Sequence, residues 1–77
     1  MRLEIGKCYV GFVGGVVGDK VFQVIEADDR GWVRAKVWEA AFVFKNNPLS
    51  YAGEKWINTN QFQEIKEWNE VPNEDED

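Results

Sequence analysis

Short runs of alternating apolar and polar residues, separated by glycine or by polar turns, recur along this 77-residue chain. A period of two is typical of strands with one face in a core, and no segment sustains a helical period. The alternation predicts strands at residues 7–13, 20–27, 54–57 and 62–65, with a longer β-prone run at 32–44. Because thirteen residues exceed the usual strand length, we expect a bend or bulge near Glu39 and Ala40. The predicted class is all-β.

The length allows one small domain, and five short strands fit a small barrel better than a two-sheet sandwich. We predict that this barrel spans residues 1–66. Residues 67–77 are predicted to form an acidic tail, disordered or docked on the barrel, because no apolar residue follows Val71. The stretch from Glu64 to Asp77 holds seven acids and one lysine, whereas residues 1–63 hold eight bases and seven acids. The net charge of −5 is therefore concentrated at the end of the chain.

The start of the long β-prone run separates two faces. Apolar residues occupy one phase, at Val33, Ala35 and Val37. Two tryptophans and two bases occupy the other phase, which comprises Trp32, Arg34, Lys36 and Trp38. This stripe could stack bases and neutralise phosphates in single-stranded nucleic acid, or Trp32 could anchor a protein contact. A third alternative is that other segments cover the stripe, so that its tryptophans belong to the core.

Three segments, in order, carry a resemblance to a known family. The first is Gly18–Ile25, in which Gly-Asp precedes an alternating strand. The second is Asp28–Lys36, in which an acidic turn precedes Gly-Trp and a strand of basic and aliphatic residues. The third is Ile57–Phe62 together with Ile65. Their order resembles the Src-homology-3-type small barrel. The resemblance implies a five-stranded barrel in which Trp32 and Asn60 keep family positions, but Asn58 replaces a proline and Gln61 replaces a tyrosine of the peptide groove. It therefore implies the barrel without a groove for proline-rich ligands.

We predict a non-catalytic protein-binding module, acting as a monomer or small homo-oligomer. Its expected contact residues combine an aromatic anchor, an acidic turn, an amide and a tail aromatic, namely Trp32, Asp28, Asp29, Asn60 and Trp68. Trp68 is included because a tryptophan in an acidic stretch is expected to dock on the barrel or insert into a partner. A small phage- or mobile-element-type inhibitor is the most concrete form of this hypothesis. The alternative is a barrel that binds single-stranded nucleic acid and whose acidic tail is autoinhibitory. Nucleic acid is the less favoured partner, because residues 1–63 carry a net charge of only +1.

Several function classes lack their chemistry in this sequence. The chain has no histidine, one cysteine (Cys8) and one serine (Ser50), and no Gly-rich phosphate loop, so we expect no enzyme and no cofactor. Two adjacent carboxylates at Asp28 and Asp29 are more typical of a solvated turn than of a metal site. The N-terminal residues lack the apolar run of an export signal, and no stretch is long enough to span a membrane. With a lone cysteine, we expect a cytoplasmic protein.

Overall fold

A computed structural model of the chain describes residues 3–13, 19–28, 30–40 and 49–72. Within these ranges the chain forms five strands and one short 3-10 turn, so the predicted all-β class is confirmed. The elements are β1 (Cys8–Phe12), β2 (Asp19–Ala27), β3 (Trp32–Ala40), β4 (Ser50–Asn58), the 3-10 turn (Thr59–Gln61) and β5 (Glu64–Trp68). These residues contain no helix that is long and apolar enough to cross a membrane.

The five strands form a single antiparallel sheet in the order β4-β3-β2-β1-β5. Strands consecutive in the chain are neighbours from β1 to β4, and β5 returns to pair with β1. This leaves β4 and β5 as the two edges. Within the described part of the chain these edges do not pair with each other, and the sheet is not closed into the predicted barrel.

Strand ends differ from the expectation mainly in the second half of the chain. β4 begins at Ser50 and not at residue 54, because its first residues pair with β3, where Glu39 lies opposite Ser50. β5 continues through Glu67 and Trp68, with Trp68 opposite Cys8 of β1. The first two residues of the predicted tail therefore belong to the sheet, and residues 73–77 lie outside the described residues.

The expected irregularity of the central strand occurs at different places. The register shifts between Val24 and Glu26 in the β2–β3 pair, and between Val37 and Trp38 in the β3–β4 pair. No shift is seen at Glu39, and residues 41–44 of the predicted long run lie outside the described residues. Because a bulge changes which side chains face which partner, the second shift sets Trp38 opposite Tyr51 of β4.

Both faces of the sheet carry packed apolar side chains, so the central strands bury residues in both phases. The larger cluster contains Tyr9, Phe22, Val24, Val33, Ala35, Val37, Ile57 and Phe62, with Leu3, Val13, Ala52 and Ile65 packed against it. The smaller cluster contains Val10, Val21 and Trp38, with Phe12, Leu49, Tyr51 and Trp68 packed against it. The predicted core phase at positions 33, 35 and 37 of β3 is thus confirmed.

The segment that precedes β1 is tied to β2 at the first register shift. The Gly6 N–H donates to the Val24 carbonyl (2.7 Å), and the Val24 N–H donates to the Lys7 carbonyl (3.0 Å). Farther along, the Glu4 N–H donates to the Tyr9 hydroxyl oxygen (2.9 Å). These bonds hold residues 4–7 against the end of the sheet that also carries the β2–β3 turn.

Candidate functional site

The β2–β3 turn and the 3-10 turn are joined at one carbonyl group. The Gly31 carbonyl accepts a hydrogen bond from the Thr59 N–H (2.8 Å) and a second from the Thr59 hydroxyl (2.7 Å). Gly31 has φ +95°, a conformation that favours glycine, and a Cβ there would lie 3.0 Å from the Asn60 amide nitrogen. The two turns therefore pack directly on each other and form one end of the sheet.

Short polar side chains shape each of these turns. The Asp28 carboxylate accepts the Arg30 N–H, and the Asp28 N–H donates to the Trp32 carbonyl (2.9 Å), which closes the β2–β3 turn. The Asn58 side chain accepts the Asn60 N–H (2.9 Å) and caps the 3-10 turn. Asp and Asn favour such local bonds, so the sequence dictates both turns locally. The predicted site residue Asp28 is thus also structural, whereas Asn60 enters its turn only through its backbone N–H.

Two exposed tryptophans lie side by side next to these turns. Trp32 is 42% exposed and lies opposite Asn58, while Trp56 is 48% exposed and lies opposite Arg34, one row along the same face. A shallow depression is lined by Lys20, Trp32, Trp56, Ile57, Asn58, Asn60 and Gln61. We call Trp32, Trp56, Asn58, Asn60 and Gln61 the aromatic–amide surface.

Trp56 was absent from the predicted site, although the sequence contains a signal for it. Its neighbour Ile57 is 5% exposed and belongs to the larger core cluster. Because adjacent residues in a strand point to opposite faces, a position of Ile57 in the larger cluster places Trp56 on the face that carries the smaller cluster. The pairing of β4 with β3 then brings it beside Trp32.

One of the two bases of the predicted stripe, Arg34, is paired with acidic side chains. The Arg34 guanidinium pairs with Glu26 (3.1 Å from Nε to Oε1) and also with Glu54. The hydrogen bond to Glu26 raises the pKa of Arg34 above its ordinary value; burial opposes this rise, and the charge and hydrogen bond of Glu54 add to it. Lys36 is half-buried and lies opposite Gln23 and Glu54 in the strand register. The charge of Arg34 is therefore already compensated by two carboxylates.

Trp38 corrects the expectation of an outward stripe of four residues. Its side chain is fully buried in the smaller cluster, with its ring centroid 5.2 Å from that of Tyr51. Only Trp32 remains as an exposed aromatic of the stripe. A stacking platform for single-stranded nucleic acid needs exposed aromatic side chains beside uncompensated cations. Trp38 is not exposed, and the charge of Arg34 is compensated, so neither residue can serve in such a platform.

Trp68 is separated from the other predicted contact residues. It lies on the edge strand β5, three strands away from Trp32, and packs half-buried against the smaller cluster. Its indole nitrogen is buried, with no hydrogen-bond partner among the described residues. The structure thus brings Trp32, Asp28 and Asn60 to one end of the sheet, leaves Trp68 elsewhere, and Asp29 lies outside the described residues.

The groups that could support other chemistry are dispersed. Cys8 is buried, and burial raises the pKa of its thiol, which disfavours the reactive thiolate. Within residues 3–13, 19–28, 30–40 and 49–72 there is no group of three or more His, Cys, Asp or Glu side chains that could hold a metal ion.

No protein-family model, curated protein or solved structure matches this chain.

We predict that Thr59→Val destabilises the domain by about 1 kcal/mol, because one of the two hydrogen bonds to the Gly31 carbonyl is lost. Thr59→Ser keeps the hydroxyl and should stay close to wild type. Urea denaturation followed by circular dichroism measures both free energies of unfolding. Equal stability of the valine and serine variants would show that the hydroxyl bond does not hold the two turns together.

Proposed function

We propose that this chain is a non-catalytic protein-binding module whose contact surface is the aromatic–amide surface. The observation that supports this most is the adjacency of Trp32 and Trp56, both about half exposed on the same face of neighbouring strands. Large aromatic side chains that can be buried by a partner dominate the energetics of protein interfaces. The amide groups around them offer hydrogen bonds without the desolvation cost of full charges.

The surrounding structure supports the same proposal. The 3-10 turn, with Asn58 as its cap and Asn60 within it, is held by the hydrogen bonds from Thr59 to Gly31 and by the bond from the Asn60 N–H to the Asn58 side chain. Its backbone therefore loses little conformational freedom on binding. The three segments that resemble the Src-homology-3 type contribute β2, β3 and the 3-10 turn, and we propose that the chain is a divergent member of that family. A role as a phage-type inhibitor stays a prediction from size and composition.

We predict that Trp32→Ala with Trp56→Ala strongly weakens binding of the partner while the domain stays folded. Proteins retained by the immobilised chain would be identified by mass spectrometry, and the partner then purified for calorimetric titration. The double variant should lose about 2 kcal/mol or more of binding free energy, close to thirtyfold in affinity. Val71→Ala is the matched control, since Val71 is 55% exposed but lies beyond β5.

The same variants distinguish the alternative partner class. A partner that binds wild type and the double variant with equal affinity would overturn the proposal. Titration with a single-stranded oligothymidylate tests the nucleic-acid hypothesis directly. Tight binding that weakens steeply with salt and is lost in Arg34→Gln would favour nucleic acid instead.

A further inference from the structure

A second and larger depression lies on the other side of Asn60 from the two exposed tryptophans. It is bounded by the N-terminal segment, the β2–β3 turn and β5, and its aliphatic lining comes from Leu3, Ile5, Val33 and Ile65. Ile5 is 69% exposed, and hydrogen bonds from the N–H groups of Glu4 and Gly6 hold the backbone on both of its flanks. This depression opens at the end of the sheet where the two turns meet.

The charged side chains that line the depression within the described residues have one sign. Among the described residues that line it, Glu4 and Asp28 are the charged ones, and both are acidic. Glu4 pairs with Lys7 (3.1 Å), whereas Asp28 forms no salt bridge within the described residues and accepts only a backbone N–H, from Arg30. Asp28 therefore presents its charge beside an aliphatic surface. We call this depression the acidic groove.

The negative charge of the groove disfavours binding of this chain's own acidic C-terminal segment. Residues from Glu64 onwards carry seven acids and one lysine, so the end of this chain and the same segment of a second copy are repelled by Asp28. A cationic segment is attracted, and its aliphatic side chains would remove Ile5 and Ile65 from water. Aliphatic lining with a single fixed carboxylate is a common arrangement for binding and orienting a ligand.

We propose that the acidic groove binds an extended basic segment of the partner protein, with an aliphatic side chain between Ile5 and Ile65 and a Lys or Arg paired with Asp28. The inference rests on the proposed function, because it assigns the class of partner that the aromatic–amide surface would contact. Asn60 lines both depressions, so a bound segment can pass from the groove towards Trp32.

Three synthetic peptides test the groove without knowledge of the natural partner. One repeats Arg-Leu, the second replaces each Leu by Gly, and the third replaces each Arg by Glu. Fluorescence anisotropy should show the Arg-Leu peptide binding at least about tenfold more tightly than the Arg-Gly peptide, because an aliphatic side chain is buried. The Glu-Leu peptide should not bind. Amide shifts in a ¹⁵N-labelled sample should map to Leu3, Val33 and Ile65.

Asp28→Asn is the decisive variant, since its amide oxygen can still accept the Arg30 N–H and preserve the turn. This variant should bind the Arg-Leu peptide about threefold to fivefold more weakly than wild type. Glu70→Gln removes the same charge from an exposed position that lines a different depression and should have no effect. Equal losses in the two variants, equal binding of the Arg-Gly peptide, or amide shifts outside the groove would overturn the proposal.

Further outcomes separate this inference from the proposed function. Groove resonances that broaden with protein concentration in the absence of peptide would assign the groove to a second copy and overturn the inference. A purified partner that depends on Trp32 and Trp56 but binds Asp28→Asn unchanged would also overturn it, while the proposed function stands. A partner indifferent to both tryptophans would overturn the proposed function whatever the peptides do.

Discussion

Replacing Trp38 with alanine should destabilise the domain by about 3–5 kcal/mol, because the largest fully buried side chain would leave a cavity in the smaller cluster. Trp32→Ala should cost only about 1 kcal/mol, since 42% of Trp32 is already exposed to solvent. The two residues occupy the same strand and the same phase of its alternation. The pair therefore isolates the effect of burial from residue type and local backbone.

The comparison is made by urea denaturation followed by circular dichroism, which does not depend on tryptophan fluorescence. A domain of this size is stabilised by only about 5–15 kcal/mol, so at the weak end of that range Trp38→Ala would unfold the domain. Trp38→Phe is the milder variant, with an expected loss of about 1–2 kcal/mol because part of the side-chain volume remains. If Trp38→Ala and Trp32→Ala proved equally stable, the conclusion that Trp38 is buried in the core would be wrong.

Gly11→Ala should destabilise the domain by about 1–3 kcal/mol, although alanine ordinarily improves a strand over glycine. A Cβ at Gly11 would lie 2.5 Å from the Phe62 Cδ1 atom. The Phe62 ring cannot easily move away, because it stacks on Phe22 with centroids 5.6 Å apart and planes 6° from parallel. The added methyl group must therefore displace either the ring or the backbone of β1.

A double-mutant cycle with Phe62→Leu tests the cause of this effect. The smaller and more flexible leucine should accommodate the methyl group, so Gly11→Ala should be nearly neutral in that background. Both free energies of unfolding are measured by the same urea titrations. A loss of the same size in the two backgrounds would place the strain in the β1 backbone and not in the contact with Phe62.

Local pattern was enough to predict the strands of the first half of the chain. The alternation of residues 20–27 and 32–38 identifies β2 and the start of β3, and Asp28 to Gly31 identifies the turn between them. The core positions Val33, Ala35 and Val37 follow from the same phase. These features were predictable because a strand's side chains alternate whatever the strand later pairs with.

The first half of β4 was not predictable in this way. Residues 50–53 lack a clear alternation and contain Gly53, whose φ of +92° is unusual for a strand. They are extended because β3 supplies hydrogen-bond partners along its whole length, with a shift of register at Val37. The class of a segment with weak local preference is decided by its neighbour in the sheet.

The candidate site likewise contains residues that the sequence predicts and residues that only the pairing of strands brings together. Trp32, Asp28 and Asn60 were predicted as contact residues from an acidic turn, an aromatic and a resemblance, and the structure places them at one end of the sheet. Trp56 was missed, and Trp68 was grouped with residues from which β1 and β2 separate it. The pairing of strands distant in sequence determines which side chains meet, and no short motif in this chain encodes it.

By itself, the sequence determined the all-β class, the β2–β3 turn and the core phase of β3, since each depends on residues within a few positions of one another. The tertiary structure alone decided that Trp38 is buried while Trp32, six residues earlier on the same face, is exposed. Tyr51, Leu49 and Trp68 cover one end of that face, and the other end carries Trp32 and Trp56. Exposure depends on what packs above a residue, and here those residues come from β4, from Leu49 just before it, and from β5.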